Sequence, residues 1–316
     1  MQTRPLGSTG FDIAPLVFGG NVFGWTVDEA ESFHLLDAFV DAGLNAIDTA
    51  DSYSTWVPGN QGGESETIIG NWLARDPSKR ERVVIITKVG SDMGQGHTDL
   101  SEKWILDEVE GSLRRLQVEA IDVYLSHWPD PRTPHAETLG AYQKLLEQGK
   151  IRSIGASNLD ATQLAEALKI ADDAGLPRYR VLQPGYNLLE RKTLEGPLLD
   201  LCRAENLGVI TYFSLAKGFL SGKYRSEADL GKSPRGAAVK DYLTPRGFAI
   251  LGALDQVAAR TGAKPAEIAL AWIAAQPGVT APIASATSPE QVASLARAAE
   301  LTLSPEDIDL LDQASA

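Results

Sequence analysis

Four side chains in the first half of the sequence could together move a proton: Asp48, Tyr53, Lys88 and His127. A phenol has an ordinary pKa of about 10, and a nearby ammonium group lowers it by favouring the phenolate. Lys88 could supply the ammonium and Asp48 its counter-charge, while His127 could hydrogen-bond and orient a carbonyl oxygen. These groups could polarise a carbonyl and protonate its oxygen, but the hydride must come from a cofactor, because no side chain donates one.

Each of the four residues also has an ordinary structural explanation. An aspartate after a strand usually caps a helix, a tyrosine usually packs, and a lysine usually extends its ammonium group to solvent. A single histidine usually has no special role. The combination of an acid, a phenol, a lysine and an imidazole at the ends of successive strands is what favours proton transfer.

The elements that would position these groups are eight short apolar or β-branched runs, which alternate with amphipathic stretches of helical period. The predicted strands are 15–19, 44–48, 83–88, 121–126, 151–156, 180–183, 208–213 and 279–283. The predicted helices include 28–42, 64–74, 101–116, 135–148, 160–174, 195–205 and 245–260. Because the strands are apolar nearly throughout, as in parallel sheets covered by helices, the sequence predicts an α/β fold, a (β/α)8 TIM barrel forming a single domain over residues 1–316.

Three segments fall outside this alternation. A short β-hairpin that could close the lower end of the barrel is predicted at residues 4–12, and a terminal helix is predicted at residues 304–313. Residues 218–244 form a long polar segment after the seventh strand, and long loops of this kind are usually functional or disordered. This loop could serve as a lid.

Polar residues follow most of the predicted strands directly, and in such barrels the strand ends build the active site. They are Gly19, Gly20, Asn21, Asp48, Tyr53, Lys88, His127, Ser157, Asn158, Gln183, Tyr212 and Ser214. All of these residues are expected to converge on one mouth of the barrel.

The composition excludes several kinds of partner. With 42 acidic and 29 basic residues the formal charge is −13, so the average field repels nucleic acid and anionic membranes. We expect neither as a partner, although helix N-termini can still bind a nucleotide cofactor. The one cysteine, Cys202, can form neither an internal disulfide nor a structural zinc site, and no metal site is predicted. The N-terminus has no apolar signal core, so a cytoplasmic protein is expected.

Seven motifs along the chain match a known family in order and spacing. They are Leu-Asn-Ala-Ile-Asp-Thr-Ala-Asp-Ser-Tyr at 44–53, Gly-Glu-Ser-Glu at 63–66, Ile-Ile-Thr-Lys at 85–88, Ile-Asp-Val-Tyr-Leu-Ser-His-Trp-Pro-Asp at 121–130, Gly-Lys-Ile-Arg-Ser-Ile-Gly-Ala-Ser-Asn at 149–158, Gln-Pro-Gly-Tyr-Asn at 183–187 and Tyr-Phe-Ser-Leu-Ala-Lys-Gly-Phe-Leu at 212–220. With these motifs the chain resembles the bacterial-type aldo-keto reductases from end to end.

The resemblance implies an enzyme that reduces a small-molecule carbonyl with NADPH, NADH being possible, and in which Tyr53 is the general acid. It implies that Asp48, Lys88 and His127 complete a catalytic tetrad. The implied contacts with the nicotinamide carboxamide are Ser157, Asn158 and Gln183. Tyr212 would stack on the nicotinamide ring, and the pyrophosphate would lie along Ser214, Leu215, Lys217 and Gly218. The predicted cofactor set also includes Gly20.

The match departs from the family at the adenine end. The segment after the eighth strand often carries an arginine for the 2′-phosphate of NADPH, and here Thr287 stands in its place. An asparagine that often touches adenine is replaced by Leu295. The predicted contacts there are Ser285, Thr287 and Gln291, and NADPH is expected to be preferred by less than is usual in the family.

The substrate itself is not specified by these motifs, nor is the oligomeric state. Trp25, Trp56 and Trp128 fall near strand ends and could line an apolar or sugar-binding pocket, with the loops at 56–63 and 218–244 deciding specificity. An alternative is a regulatory subunit that binds cofactor on the same scaffold. The complete tetrad and the lack of a long extra N-terminal segment argue against it. A barrel enzyme with metal or phosphate chemistry ranks last, because clustered ligands and a phosphate-binding glycine loop are lacking in the sequence.

Overall fold

A closed barrel of eight parallel strands forms the centre of the molecule in the computed structural model, which describes residues 1–233 and 236–316. A short hairpin of β1 (Arg4–Pro5) and β2 (Asp12–Ile13) precedes the barrel. The eight barrel strands are β3 (Val17–Gly19), β4 (Ala46–Asp48), β5 (Val84–Val89), β6 (Ile121–Ser126), β7 (Ile151–Ser157), β8 (Val181–Gln183), β9 (Gly208–Thr211) and β10 (Ala281–Ala284). They pair in sequence order, and β10 closes the barrel between β9 and β3. The predicted (β/α)8 barrel is therefore confirmed.

Helices cover the outside of the barrel. They are α1 (Glu29–Asp41), α2 (Glu64–Arg75), α3 (Glu102–Leu116), α4 (His135–Glu147), α5 (Ala161–Ala174), α6 (Pro197–Ala204), α7 (Pro245–Thr261), α8 (Pro265–Ala275), α9 (Pro289–Glu300) and α10 (Pro305–Ser315). Side-chain caps fix several starts: Asp160 accepts a hydrogen bond from the backbone N–H of Gln163, and Ser288 from that of Gln291. None of the helices among the described residues has the length and apolarity needed to cross a membrane.

Helix α8 was not among the helices that the sequence pattern predicted. Every residue of 267–273 is buried, so this helix has no polar face and shows no amphipathic period. The seventh barrel strand also ends earlier than predicted, at Thr211 instead of residue 213. Phe213 has a φ of 54°, a left-handed conformation that cannot continue a strand.

The N-terminal hairpin closes the bottom of the barrel, as predicted. Leu6 and Ile13 are fully buried and belong to the same apolar cluster as the inward-facing strand residues Val17, Val123 and Ile210. The hairpin turn lies so close to the start of β9 that a Cβ at position 7 would be 2.2 Å from a backbone nitrogen. Only glycine fits there, and it also supplies the required positive φ of 54°.

The predicted long polar loop after β9 contains three short 3₁₀ helices, Ala216–Ser221, Glu227–Lys232 and Gly236–Tyr242. Tyr224 and Val239 in this segment are fully buried, so it packs against the barrel along part of its length. The predicted segment 218–244 includes residues 234 and 235, which lie outside the described residues. The predicted terminal helix is present as α10.

Candidate active site

The four proton-transfer residues come together at the carboxyl ends of three neighbouring strands. Asp48 is the last residue of β4, Lys88 lies near the end of β5, and His127 follows β6 directly. Tyr53 lies in the turns that follow β4. Because β4, β5 and β6 are adjacent in the barrel, the four side chains meet at one mouth.

Lys88 is the centre of the hydrogen-bond network. Its ammonium group donates to Asp48 Oδ2, to the backbone oxygen of Thr49 and to the phenolic oxygen of Tyr53, each at 2.8 Å. Tyr53 donates its own proton to Asp48 Oδ2 at 3.0 Å, and Gln183 Nε2 donates to Asp48 Oδ1 at 2.7 Å. Lys88 is 0% and Asp48 1% exposed. The ion pair is therefore buried and fully hydrogen-bonded, which fixes the Tyr53 oxygen in place.

Burial dominates the pKa of Tyr53. Removal of the phenol from water raises its pKa well above the ordinary value, and the nearby Asp48 carboxylate raises it further. The expected net lowering by Lys88 is therefore wrong. Burial lowers the pKa of Lys88, although Asp48 opposes that shift. Tyr53 consequently keeps its proton near neutral pH and is available as an acid.

His127 is neutral near pH 7. Burial and the Lys88 ammonium group lower its pKa well below the ordinary value. Its Nδ1 lies 2.8 Å from Ser91 Oγ and 3.4 Å from Ser52 Oγ. A hydroxyl that donates to Nδ1 leaves the ring proton on Nε2, which can then donate to a carbonyl oxygen.

Side chains at the start of α2 form hydrogen bonds with residues at the mouth of the barrel. Ser65 accepts a hydrogen bond from Thr49, the residue after Asp48, and donates to the backbone oxygen of Gly20. The fully buried Glu66 accepts from Thr87 Oγ1 at 2.6 Å and from Arg115 Nε at 2.7 Å. The Gly-Glu-Ser-Glu motif at 63–66 therefore anchors the strands that carry Asp48 and Lys88.

The loop between Tyr53 and α2 is held at both of its ends. Asn60 Nδ2 donates to the backbone oxygens of Gly24 at 3.0 Å and Ser54 at 3.1 Å. Glu64 at the start of α2 accepts from the backbone N–H groups of Gln61 at 2.8 Å and of the next residue at 3.0 Å. This loop carries Trp56, so its ties fix the position of that ring.

Asp51, two residues before Tyr53, is a second buried acid. It is 0% exposed, and neither carboxylate oxygen has a hydrogen-bond partner among the described residues. Burial and the nearby Glu66 raise its pKa well above the ordinary value. The raised pKa favours the protonated form of this carboxyl group more than in an exposed aspartate.

A cavity of about 1030 Å³ opens in front of the network. Asp48, Tyr53 and His127 line it, whereas Lys88 lies behind them. The predicted cofactor residues on its wall are Ser157, Asn158, Gln183, Tyr212, Ser214, Leu215, Lys217, Gly218, Ser285, Thr287 and Gln291. The cavity therefore joins the predicted catalytic residues to nearly all of the predicted cofactor residues.

Besides Lys88, two predicted site residues do not reach the cavity wall. Gly20 faces β4, where a Cβ would lie 2.9 Å from the backbone oxygen of Asp48, and its neighbours Gly19 and Asn21 line the cavity. Trp25 packs edge-on against Trp56, with ring centroids 5.7 Å apart. Trp56 and Trp128 do line the cavity.

The residues predicted to hold nicotinamide form a connected chain of hydrogen bonds. Tyr212 donates to Asn158 Oδ1 at 2.6 Å, and Asn158 Nδ2 donates to Ser157 Oγ and to the backbone oxygen of His127 at 3.0 Å each. Ser157 Oγ donates to the backbone oxygen of Gln183 at 2.8 Å. Asn158 has a φ of 63°, a conformation that this residue type tolerates better than most. The network fixes amide and hydroxyl groups beside His127.

The turn after β9 has an unusual backbone. Phe213, Ala216, Lys217 and Gly218 all have positive φ values, between 47° and 98°. Turns of this kind direct successive backbone N–H groups into a concave, anion-binding arrangement, and such conformations in non-glycine residues concentrate at functional sites. The N–H groups of Ala216 and Gly218 donate to backbone oxygens within the turn, so a phosphate group would have to meet the other N–H groups there.

The sequence prediction missed several polar and charged residues on the cavity wall. These are Thr26, Ser52, Thr55, Ser91, Asp92, Lys223 and Lys264. Ser91 and Asp92 follow β5 by two and three residues, so the strand-end rule could have found them. Lys264 precedes α8, which gave no sequence signal of its own, and nothing in the pattern could have placed it at the site.

Comparison with known proteins agrees with this architecture. The profile of the Aldo/keto reductase family matches residues 15–316. An uncharacterized oxidoreductase YrpG of Bacillus subtilis is 34% identical over 99% of this chain and 95% of its own length. The aldo-keto reductase YhdN of the same organism is 32% identical over 97% of this chain and 91% of its own, and a probable voltage-gated potassium channel subunit beta of rice is 33% identical over 99% and 96%. The chain belongs to the aldo/keto reductase family.

Proposed function

We propose that this protein reduces the carbonyl group of an aldehyde or ketone to an alcohol, with a reduced nicotinamide dinucleotide as co-substrate. Membership of the family supports nicotinamide-dependent oxidoreductase activity in general. The observation that carries the proposal is the contact of one buried ammonium group, Lys88, with both Tyr53 and Asp48 at the wall of a large cavity. This arrangement serves proton transfer to an oxygen atom.

The chain's own residues would act on the oxygen of the substrate. Bound cofactor would supply a hydride to the carbonyl carbon. His127, neutral and on the cavity wall, would donate a hydrogen bond to the carbonyl oxygen and orient it. Tyr53 would turn its hydroxyl from Asp48 toward the cavity and give its proton to the same oxygen. Lys88, 2.8 Å from the phenolic oxygen, would stabilise the phenolate that remains, and Asp48 would hold Lys88 in place.

The cavity fits an extended dinucleotide. At about 1030 Å³ it is at the upper end of ordinary ligand pockets, which measure roughly 300–1000 Å³. Amide and hydroxyl groups lie beside His127, and the positive-φ turn at 213–218 offers backbone N–H groups further along the wall. Ser157, Asn158 and Gln183 would hold the carboxamide, and Ser214 and the residues after it would hold the diphosphate.

We expect NADPH or NADH to bind in the absence of substrate. Trp56 and Trp128 line the cavity and are 48% and 43% exposed, so a bound nicotinamide should quench tryptophan fluorescence. The measurement is a fluorescence titration with each cofactor, with Trp56→Phe as a control that removes one reporter. If neither cofactor binds at up to millimolar concentration, the proposed function is wrong.

The substrate end of the cavity favours an uncharged carbonyl compound with an aromatic ring. Trp56 and Trp128 present exposed ring faces there, and Asp92 is ionised because backbone N–H groups lower its pKa. Among the described residues, the basic side chains on the wall other than His127 are lysines of the segment after β9 and of the start of α8. No described cation at the substrate end is therefore free to pair with a carboxylate or phosphate of the substrate.

A matched pair of aldehydes tests this preference. Methyl 4-formylbenzoate should have a KM at least about threefold lower than 4-formylbenzoate, a modest factor because exposed charges interact weakly in water. Asp92→Asn should narrow the difference, whereas Asp107→Asn, a surface acid paired with Lys103, should not. Equal KM values for the two aldehydes would contradict the substrate preference alone, while failure to reduce either one would count against the reductase.

The relative named as a channel subunit keeps one other function open, a regulatory subunit that binds cofactor and turns over little substrate. Both functions predict cofactor binding. Single-turnover oxidation of bound NADPH by an activated aldehyde separates them, because only a reductase completes the reaction at a rate that depends on Tyr53.

A further inference from the structure

Helix α9 contributes no basic side chain to the wall of the cavity. Thr287 stands there, and both its backbone N–H and its hydroxyl donate to Gln291 Oε1, at 2.9 Å and 3.3 Å. Within α9, whose residues are all described, the one basic side chain is Arg297. Its guanidinium group donates to Glu267 Oε1 at 2.7 Å and 3.0 Å. Arg297 is thus bound to the neighbouring helix and does not appear on the cavity wall.

Lys264 lies on the same part of the wall. It is the N-cap residue of α8, and its backbone N–H donates to Glu267 Oε2 at 3.0 Å, while Ser294 of α9 donates to Glu267 Oε1 at 2.6 Å. A single carboxylate that is 3% exposed therefore holds Lys264 next to the turn of α9 that carries Gln291 and Ser294. Lys264, Gln291 and Ser294 all line the cavity.

A second lysine on the wall lies elsewhere. A Cβ at Gly218 would be 3.9 Å from Lys223 Nζ, so Lys223 lies beside the positive-φ turn. A phosphate group at that turn belongs to the diphosphate, which NADPH and NADH share. The two lysines therefore stand at different phosphate positions of an extended dinucleotide.

We infer that Lys264 binds the 2′-phosphate of NADPH, at a part of the wall where α9 supplies no cation of its own. The inference rests on the proposed function, because it concerns the cofactor of that reaction. An ammonium group on a flexible stem reaches a phosphate as a point charge and makes no bidentate pair. The preference for NADPH over NADH is therefore real but smaller than an arginine would give.

Glu290 limits this preference further. Glu290 lines the same cavity as Lys264. Hydrogen bonds from Ser288 and from its own backbone lower the pKa of Glu290, and the charge of Lys264 lowers it further, so the carboxylate is ionised. A dianionic phosphate at Lys264 would be repelled by this carboxylate. Removal of the Glu290 charge should therefore strengthen NADPH binding and leave NADH binding unchanged.

The test is a set of dissociation constants for NADPH and NADH, measured by fluorescence titration without substrate. Lys264→Met should weaken NADPH binding about tenfold, the effect of losing a charge-assisted contact, and change NADH binding less than twofold. Lys223→Met, the matched control, should weaken both cofactors by similar factors. Thr287→Arg should raise the NADPH preference of the wild type and restore it in Lys264→Met.

Salt gives an independent readout. The NADPH to NADH affinity ratio of the wild type should fall as ionic strength rises, and the ratio of Lys264→Met should not. Since the side chain of Lys264 is exposed and its capping N–H belongs to the backbone, this variant should keep its circular dichroism spectrum. An unchanged affinity ratio in Lys264→Met would overturn the inference alone. Failure of the wild type to bind either cofactor would overturn the proposed function and the inference together.

Discussion

Tyr53→Phe should slow hydride transfer to a carbonyl by at least about 100-fold, the lower range for loss of a positioned acid, and leave the fold and cofactor binding intact. The substitution removes one hydroxyl and keeps the ring, so the packing against Trp56 and His127 should persist. It also removes the atom that both Lys88 and Asp48 contact. The measurement is single-turnover oxidation of saturating NADPH by 4-nitrobenzaldehyde.

The pH dependence of the single-turnover rate is a second test of the role of Tyr53. Because burial raises the pKa of Tyr53 well above 10, the phenol holds its proton through neutral and mildly alkaline pH. The wild-type single-turnover rate should therefore stay flat from about pH 7 to pH 9. Tyr242→Phe is the matched control, since it removes a hydroxyl bonded to Glu190 outside the cavity and should leave the rate unchanged. A near-wild-type rate in Tyr53→Phe would mean that His127 or water is the proton donor.

Lys88→Met should lower both the rate and the stability. The side chain of Asp48 would stay buried with one negative charge and only Gln183 and Tyr53 as donors. Breaking a buried ion pair by removing one partner typically costs about 3–5 kcal/mol of unfolding free energy. The single-turnover rate should also fall at least about 100-fold, because nothing would stabilise the phenolate of Tyr53. Urea denaturation at pH 7 measures the first effect and single-turnover kinetics the second.

The double variant Asp48→Asn with Lys88→Met separates the two effects. It removes both buried charges, so much of the lost stability should return, since a pair replaced as a unit leaves no uncompensated charge. The rate should stay low, because the ammonium group is still missing. If Lys88→Met turned over at the wild-type rate, Lys88 would be a structural residue and the proposed role in proton transfer would be wrong.

Much of the site could be predicted because its residues follow the strand pattern. Asp48 and Gln183 end β4 and β8, and His127 follows β6 directly, so recognising the strands was enough to place them at one mouth. The nearly continuous apolar character of these strands made them easy to recognise. The barrel itself followed from eight such runs alternating with helices.

Other features depend on burial and packing, which a sequence pattern does not reveal. The direction of the Tyr53 pKa shift was predicted from the charge of Lys88 alone, whereas the loss of water around the phenol has the larger effect. Helix α8 is buried on all sides and so lacks an amphipathic signal. Lys264 lies on the cavity wall at the start of that helix, where Glu267 accepts hydrogen bonds both from Lys264 and from Ser294 of α9.

The hydrogen bonds that hold the loop between Tyr53 and α2 also affect ligand binding, because they reduce the part of the binding free energy that is spent on ordering the loop. Hydrogen bonds of Asn60 and Glu64 within the chain hold this loop, so the position of Trp56 does not depend on contacts with a ligand. Ordering a mobile loop would subtract conformational entropy from every ligand's affinity. With the wall preorganised, differences in affinity between substrates should reflect their direct contacts with the ring, and association should proceed without a slow loop-closing step at this side of the mouth.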